Sequence, residues 1–455
     1  MTAVPVRPTP RTARAVRSLQ MPAFWLLAGL LVVCGAQLLE IFGTAYGKWP
    51  TATTTAIVLF GLYAVPFWLF IASLDFLERE PWLLMATAFA WGAAVAPMVS
   101  LPGNKAVYDL LSKLVSPQFA AAWGSAIAGP TIEELLKGLG VIVLVLIARA
   151  QINSVLDGMV YGALVGLGFQ VVEDIVYAVN AVSIAGQGDE VGPVISTVFL
   201  RGFLAGLWSH TIFSALVGGG IAYFLVHRER SMLNRLAGAA VGFGGAWLLH
   251  FLWNSPLLAD GIGGGAGGIL LGLLIKGIPA LVLVLSLAWL ARAREARFYL
   301  AELGAIADPR IASDAEVAAL ADPRMRVRAR HHGKKVAGGK GERAVRALQR
   351  ALCLYAVELA RARTVDQPGT MHGEPGPSSG TGGTVAGVGS ADLGRDPVVA
   401  KARQGVLEAR ERVTDLGIEQ ALPGPHTRHR WVWWVLAAVV AVLLLMSAFH
   451  ALGGG

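Results

Sequence analysis

Cysteine is nearly missing from this chain. Cys34 and Cys353 are the two among 455 residues, too few for a disulfide framework or a cysteine-ligated zinc site. Charge is scarce as well. Asp, Glu, Lys and Arg make up 15% of the sequence, against roughly a quarter in soluble domains. Apolar residues take their place, at 55%, and they gather in long runs. A soluble domain with a single core is therefore excluded.

Those runs dictate the fold class. A helix needs about 20 apolar residues to cross a bilayer, and nine runs qualify: 23–44, 53–74, 83–101, 121–148, 155–180, 197–225, 236–255, 268–291 and 431–450. The expected fold is all-α, a polytopic transmembrane bundle of about nine spans. The first run is longer than a signal-peptide core and no small-x-small site follows it, so it is read as a span. Arg7, Arg11, Arg14 and Arg17 precede it and place the N-terminus in the cytoplasm. Counting spans from there puts Arg149, Arg228, Arg230, Arg235, Arg292, Arg294 and Arg297 on the same side. The loop 181–195, on the other side, has Asp189 and Glu190 but no base. Five parts follow: an N-terminal part with three spans (1–117), a four-span core (118–256), an eighth span (257–292), a cytoplasmic insertion (293–430) and a last span (431–455).

The insertion is built differently. Arg324, Arg326, Arg328, Arg330, Lys334, Lys335, Lys340, Arg343, Arg346 and Arg350 are interrupted by one acid, Glu342. The absence of interleaved aromatic residues argues against nucleic acid, and a basic cluster beside a span suits anionic lipid headgroups, with a plain solvated face as the alternative. A helix is predicted over 342–364, with Val345, Leu348, Leu352, Tyr355 and Leu359 on one face. Another is predicted over 397–418, with Val399, Ala402, Val406, Ala409, Val413 and Leu416 on one face. Between them, 366–395 is rich in Gly, Ser and Pro and reads as a disordered linker.

Charge within the apolar runs is the most informative because it is the most costly. Glu133 and Glu134 stand together inside run 121–148, where a carboxylate needs a partner or a job. Lys137 follows Glu133 by four, the favourable order for an ion pair. That pairing leaves Glu134, which projects about 100° away, unexplained. A carboxylate pair also supplies a general base and a group to orient it. Pro130 upstream offers a turn that can unwind and admit water. Three i,i+4 pairs follow on later runs: Phe169 with Glu173, His210 with Ser214, and His250 with Asn254. A catalytic zinc takes three protein ligands and leaves a position for water. His210, His250 and Glu173 supply those three, with Asn254 or Ser214 placed to support a ligand or polarise a carbonyl. Glycines 158, 162, 166 and 168 let neighbouring helices approach closely. At about 1.5 Å per residue, Glu133, Glu173, His210 and His250 all fall between the midplane and the outer face. One pocket, open to the extracytoplasmic side, is the expectation.

These residues carry a resemblance. Glu133-Glu134-x-x-Lys137, Phe169-x-x-x-Glu173-Asp174, His210-x-x-x-Ser214 and His250-x-x-x-Asn254 occur in this order on consecutive runs. The set resembles the PrsW family of intramembrane proteases and, more distantly, the CAAX prenyl endopeptidases of the same clan. The CAAX pattern has Arg one position beyond Lys137 and His in place of Glu173, so both departures point to PrsW. The resemblance covers about 110–254. It implies a bacterial cell-membrane protease cutting membrane-anchored substrates, such as single-span anti-sigma factors, near the extracytoplasmic face. Glu133 would be the base, with Glu134, Lys137 and Asn254 completing the catalytic set. Two other classes stay open. A proton-coupled transporter also uses intramembrane Glu, His and Lys, but the internal repeat typical of one is missing. A catalytically silent scaffold is the other, and the intact motif set speaks against it.

Overall fold

The computed structural model describes residues 20–74, 80–205, 209–228, 230–257, 265–306, 308, 310–366 and 396–418. Among them every regular element is helical. Helix α1 spans Pro22–Lys48 and α2 Pro50–Leu74. The start of α2 is capped from far away in sequence. The two Asp189 carboxylate oxygens accept the Thr51 and Ala52 N–H groups, each at 2.8 Å, placing an anion at the positive end of the helix. Helix α3 (Trp82–Leu114) contains a π-helical turn at Trp91–Val95. Helix α4 (Pro117–Ala148) starts on Ser116, whose side chain accepts from the Phe119 N–H. It runs through Pro130 unbroken, so the expected unwinding is not found.

Helix α5 (Val155–Ala185) opens with a Ser154/Asp157 capping box and closes on Gly186 at φ 64°, a left-handed C-cap that glycine adopts without strain. Helix α6 (Gly192–Thr197) passes into a π-helical turn, Val198–Ala205. Then come α7 (His210–Val226), α8 (Met232–Asn254) and α9 (Gly265–Gly304). Helix α5 is the central post, buried nearly all round, as a helix apolar on every side must be. Its glycine stripe receives α7. A Cβ at Gly162 would stand 2.1 Å from the Ser214 carbonyl oxygen, and one at Gly166 2.2 Å from that of His210. Only glycine permits this approach, and it sets His210 beside the helix that carries Glu173.

Among the described residues six helices are long and apolar enough to cross a membrane: α1, α2, α3, α5, α8 and the part of α9 from Leu270 to Gly304. The expected count of about nine is not confirmed, because three of the nine runs give no such helix among the described residues. Helix α4 carries Glu133, Glu134 and Lys137 in its middle. Run 197–225 is divided between the π-helical turn and the 17 residues of α7. Run 431–450 lies outside the described residues, as do the N-terminal arginines and 367–395 of the expected linker.

Helices α10 (Asp314–Ala321), α11 (Pro323–Asp366) and α12 (Pro397–Asp415) pack with the end of α9 around a second apolar core. Val345, Leu348, Leu352, Tyr355 and Leu359 of α11 meet Val399, Ala402, Val406, Ala409 and Val413 of α12 there. Helix α11 starts earlier than expected and bends at Ala337 and Gly338, the latter at φ 61°. The basic run is therefore not one face. Arg326 is buried and donates to the Leu320 carbonyl. Burial and the nearby charge of Arg292 lower its pKa to about 10. Exposed Lys334, Lys335, Lys340 and Arg343 collect around the bend.

Candidate active site

Four helices bring the motif residues together. Lys137 Nζ lies 2.8 Å from Glu134 Oε1 and 3.4 Å from Glu133 Oε2, with all three side chains buried. The lysine thus serves Glu134 first, and Glu133 second. It also stands 2.8 Å from His210 Nδ1 and 3.9 Å from the centroid of the Phe169 ring. That cation–π contact is the work of the aromatic residue in the second motif. Glu134 is wholly enclosed. It accepts the Ser214 hydroxyl at 3.0 Å and faces His250 Nδ1 at 3.0 Å. Glu173 faces His210 Nε2 at 2.9 Å.

Each imidazole therefore has one nitrogen against a carboxylate and the other turned toward Glu133. Glu133 Oε2 lies 3.8 Å from His210 Nδ1 and 3.9 Å from His250 Nε2. One ligand atom from each of Glu133, His210 and His250 falls within 4.8 Å of the others. Two imidazoles and a carboxylate form a catalytic-zinc type of donor set, and a carboxylate behind each imidazole is how ligating histidines are oriented. Gly129 keeps the space open. A Cβ there would stand 3.0 Å from Asn254 Nδ2, 3.4 Å from His250 Nε2 and 3.6 Å from Glu133 Oε1. The residues fit a divalent ion, on condition that Lys137 withdraws from His210 Nδ1 toward its glutamates.

The third place in this cluster belongs to Glu133. Glu173, expected there, has its Oε2 taken by His210 and by Arg201 Nη2 at 2.7 Å. Asn254 donates to the Ser125 carbonyl at 3.3 Å and borders the same cavity of about 730 Å³, which Glu133, Glu173 and His210 also line.

Two site residues were not anticipated. Arg201, in the π-helical turn after α6, pairs with both Glu173 and Asp174. Its signal was present, since it is the one Lys, Arg, Asp or Glu in run 197–225. Asn104 of α3 donates to Glu133 Oε1 at 3.0 Å. An asparagine between Gly103 and Lys105 gives no such signal.

Paired carboxylates and two oriented imidazoles, with Glu133 and His210 on the wall of one cavity, have the composition of a hydrolytic site in a multi-pass membrane protein. Comparison with known families gives that class its name. Residues 80–290 match the PrsW family of intramembrane metalloproteases, and this part of the chain is similar to that family. The match runs from the approach to α3 into α9, wider than the motifs alone, and leaves out α1, α2 and the tail helices. No curated protein and no solved structure matches the chain.

Proposed function

We propose that the chain is a metal-dependent endopeptidase that cuts a membrane-anchored protein near the extracytoplasmic face. The observation that carries this is the buried Glu133, His210 and His250 cluster with a carboxylate behind each imidazole. His210 and His250 would hold the ion with Glu133 beside it, and zinc suits imidazole donors. Once bound there it supplies Lewis-acid polarisation of the scissile carbonyl and a water of lowered pKa.

The protein's own groups do the rest. Glu133 lines the cavity and takes up the proton that the attacking water releases. Glu134 and Glu173 fix the tautomer and orientation of His250 and His210. Lys137 offsets carboxylate charge that would otherwise be buried uncompensated. Asn254 Nδ2 donates to the carbonyl oxygen as negative charge develops on it. On the α4 side the cavity wall is Ala121, Gly124, Ser125 and Ala128, small residues that let an extended segment lie close to the helix. A single-span anti-sigma factor of a bacterial cell is the substrate class. The cations at the bend of α11 rest on anionic lipid, with the N-terminus and 293–430 in the cytoplasm.

Cleavage of a co-expressed single-span substrate tests the assignment. Glu133→Gln, Glu134→Gln, His210→Ala and His250→Ala each reduce cleavage by about 100-fold or more while the protein still inserts. Purified wild type holds stoichiometric metal that the double-histidine variant lacks. Two of these variants cleaving at the wild-type rate would overturn the site. Activity that survives exhaustive chelation, in protein free of metal, would overturn the metal.

A further inference from the structure

We infer that Asn104 both positions Glu133 and binds the substrate backbone, donating through its amide N–H to the carboxylate and accepting a peptide N–H on its carbonyl oxygen. The inference rests on the protease reading above and deepens it.

The contact divides the work of the two Glu133 oxygens. Oε1 receives the Asn104 N–H at 3.0 Å. Oε2 is the oxygen turned to Lys137, His210 and His250. The terminal torsion of a glutamate is broad and poorly defined by itself. A donor fixed on one oxygen therefore decides where the other points. Asn104 comes from α3, outside the helices that carry the motifs. Its reach depends on its neighbour: a Cβ at Gly103 would stand 2.7 Å from Ile132 Cγ2, so α3 and α4 close together at the level of Glu133.

The other end of the same amide is unused. Asn104 Oδ1 is enclosed and has no hydrogen-bond partner among the described residues, while Asn104 lines the cavity. Reversing the amide gives no relief, because its oxygen would then face a carboxylate, acceptor against acceptor. An enclosed acceptor without a donor is unfavourable, and a donor arriving in the cavity removes that cost. An extended peptide brings one at each residue. The amide thus ties the position of the base to the presence of a correctly laid backbone.

The test uses full-length protein in detergent and a synthetic single-span peptide that the wild type cleaves. The same peptide is made with an ester replacing, in turn, each amide N–H flanking the scissile bond. In the wild type one ester lowers kcat/KM about fivefold to tenfold, the size expected for one hydrogen bond. Asn104→Ala lowers kcat about tenfold to 100-fold, and in it that ester costs less than twofold. Such non-additivity is the mark of a direct contact. Asn104→Asp keeps the acceptor and loses the donor. It carries the test if the alanine variant does not accumulate, with kcat lowered and the ester penalty retained. Asn104→Ala with wild-type kcat overturns the positioning role, and an ester penalty undiminished in that variant overturns the backbone contact. A wild type that cleaves no substrate overturns the protease reading itself, a result distinct from either.

Discussion

Arg201 holds two carboxylates at once, Glu173 at 2.7 Å and Asp174 at 2.6 Å, and lies over the Tyr177 ring at 3.8 Å. Without it two consecutive acids on α5 would be left without their shared cation, and Glu173 would lose the orientation that serves His210. Arg201→Gln is expected to cost about 2–3 kcal/mol. That is below the roughly 3–5 kcal/mol for breaking a fully buried pair, because the arginine side chain is 31% exposed. Thermal unfolding in detergent measures this, and cleavage should fall about tenfold to 100-fold. Arg201→Lys should not restore it, since one ammonium cannot reproduce the planar fork. The motif acids and histidines were legible in the sequence because polarity inside an apolar run is costly wherever it occurs. Which carboxylate stands between the two imidazoles was not. Spacing of i,i+4 gives the face of a helix but not which residue on another helix meets it.

Individual helices were legible to different degrees. Apolar steps of three and four identify the buried faces of α11 and α12 because an amphipathic helix has a polar side to contrast with. Helix α5 offers no such contrast, and only its glycines betray what packs there. Caps add local strength that the fold then depends on. In α10, burial raises the pKa of Glu316, but bonds from Arg410 and from Ser313 outweigh it and leave the carboxyl below the ordinary glutamate range. A lowered folded-state pKa stabilises above the unfolded value, about 4.3, and that contribution disappears as pH falls through the folded one. Hydrogen exchange in α10 and α12 should therefore quicken below about pH 4 in the wild type. In Arg410→Ala it should already be fast at neutral pH, because the partner at 2.8 Å is gone. Equal protection in both proteins at neutral pH would refute the coupling.

At the level of the whole molecule, the tail is a separate core, and its dispensability can be measured. Deleting 300–425 should leave cleavage within about twofold, because the site residues lie on helices of the other core. Ser379→Cys, in a background lacking Cys34 and Cys353, should resist an impermeant thiol reagent in intact cells. Native Cys353 adds little background in any case, since burial pushes its thiol up to about 12. Ready labelling at 379 would invert the topology. The two cores nevertheless share α9. Ala280, Val284 and Ala288 belong to the membrane core, while Ala296 and Leu303 belong to the tail. Forty residues make a rod of about 60 Å. Where the rod leaves the membrane core, Glu295 meets Ser154 at 3.2 Å, at the first turn of the helix that carries Glu173. The rod is a lever common to both cores: its tail end is set by one and its membrane end by the other, with the root of α5 at the fulcrum.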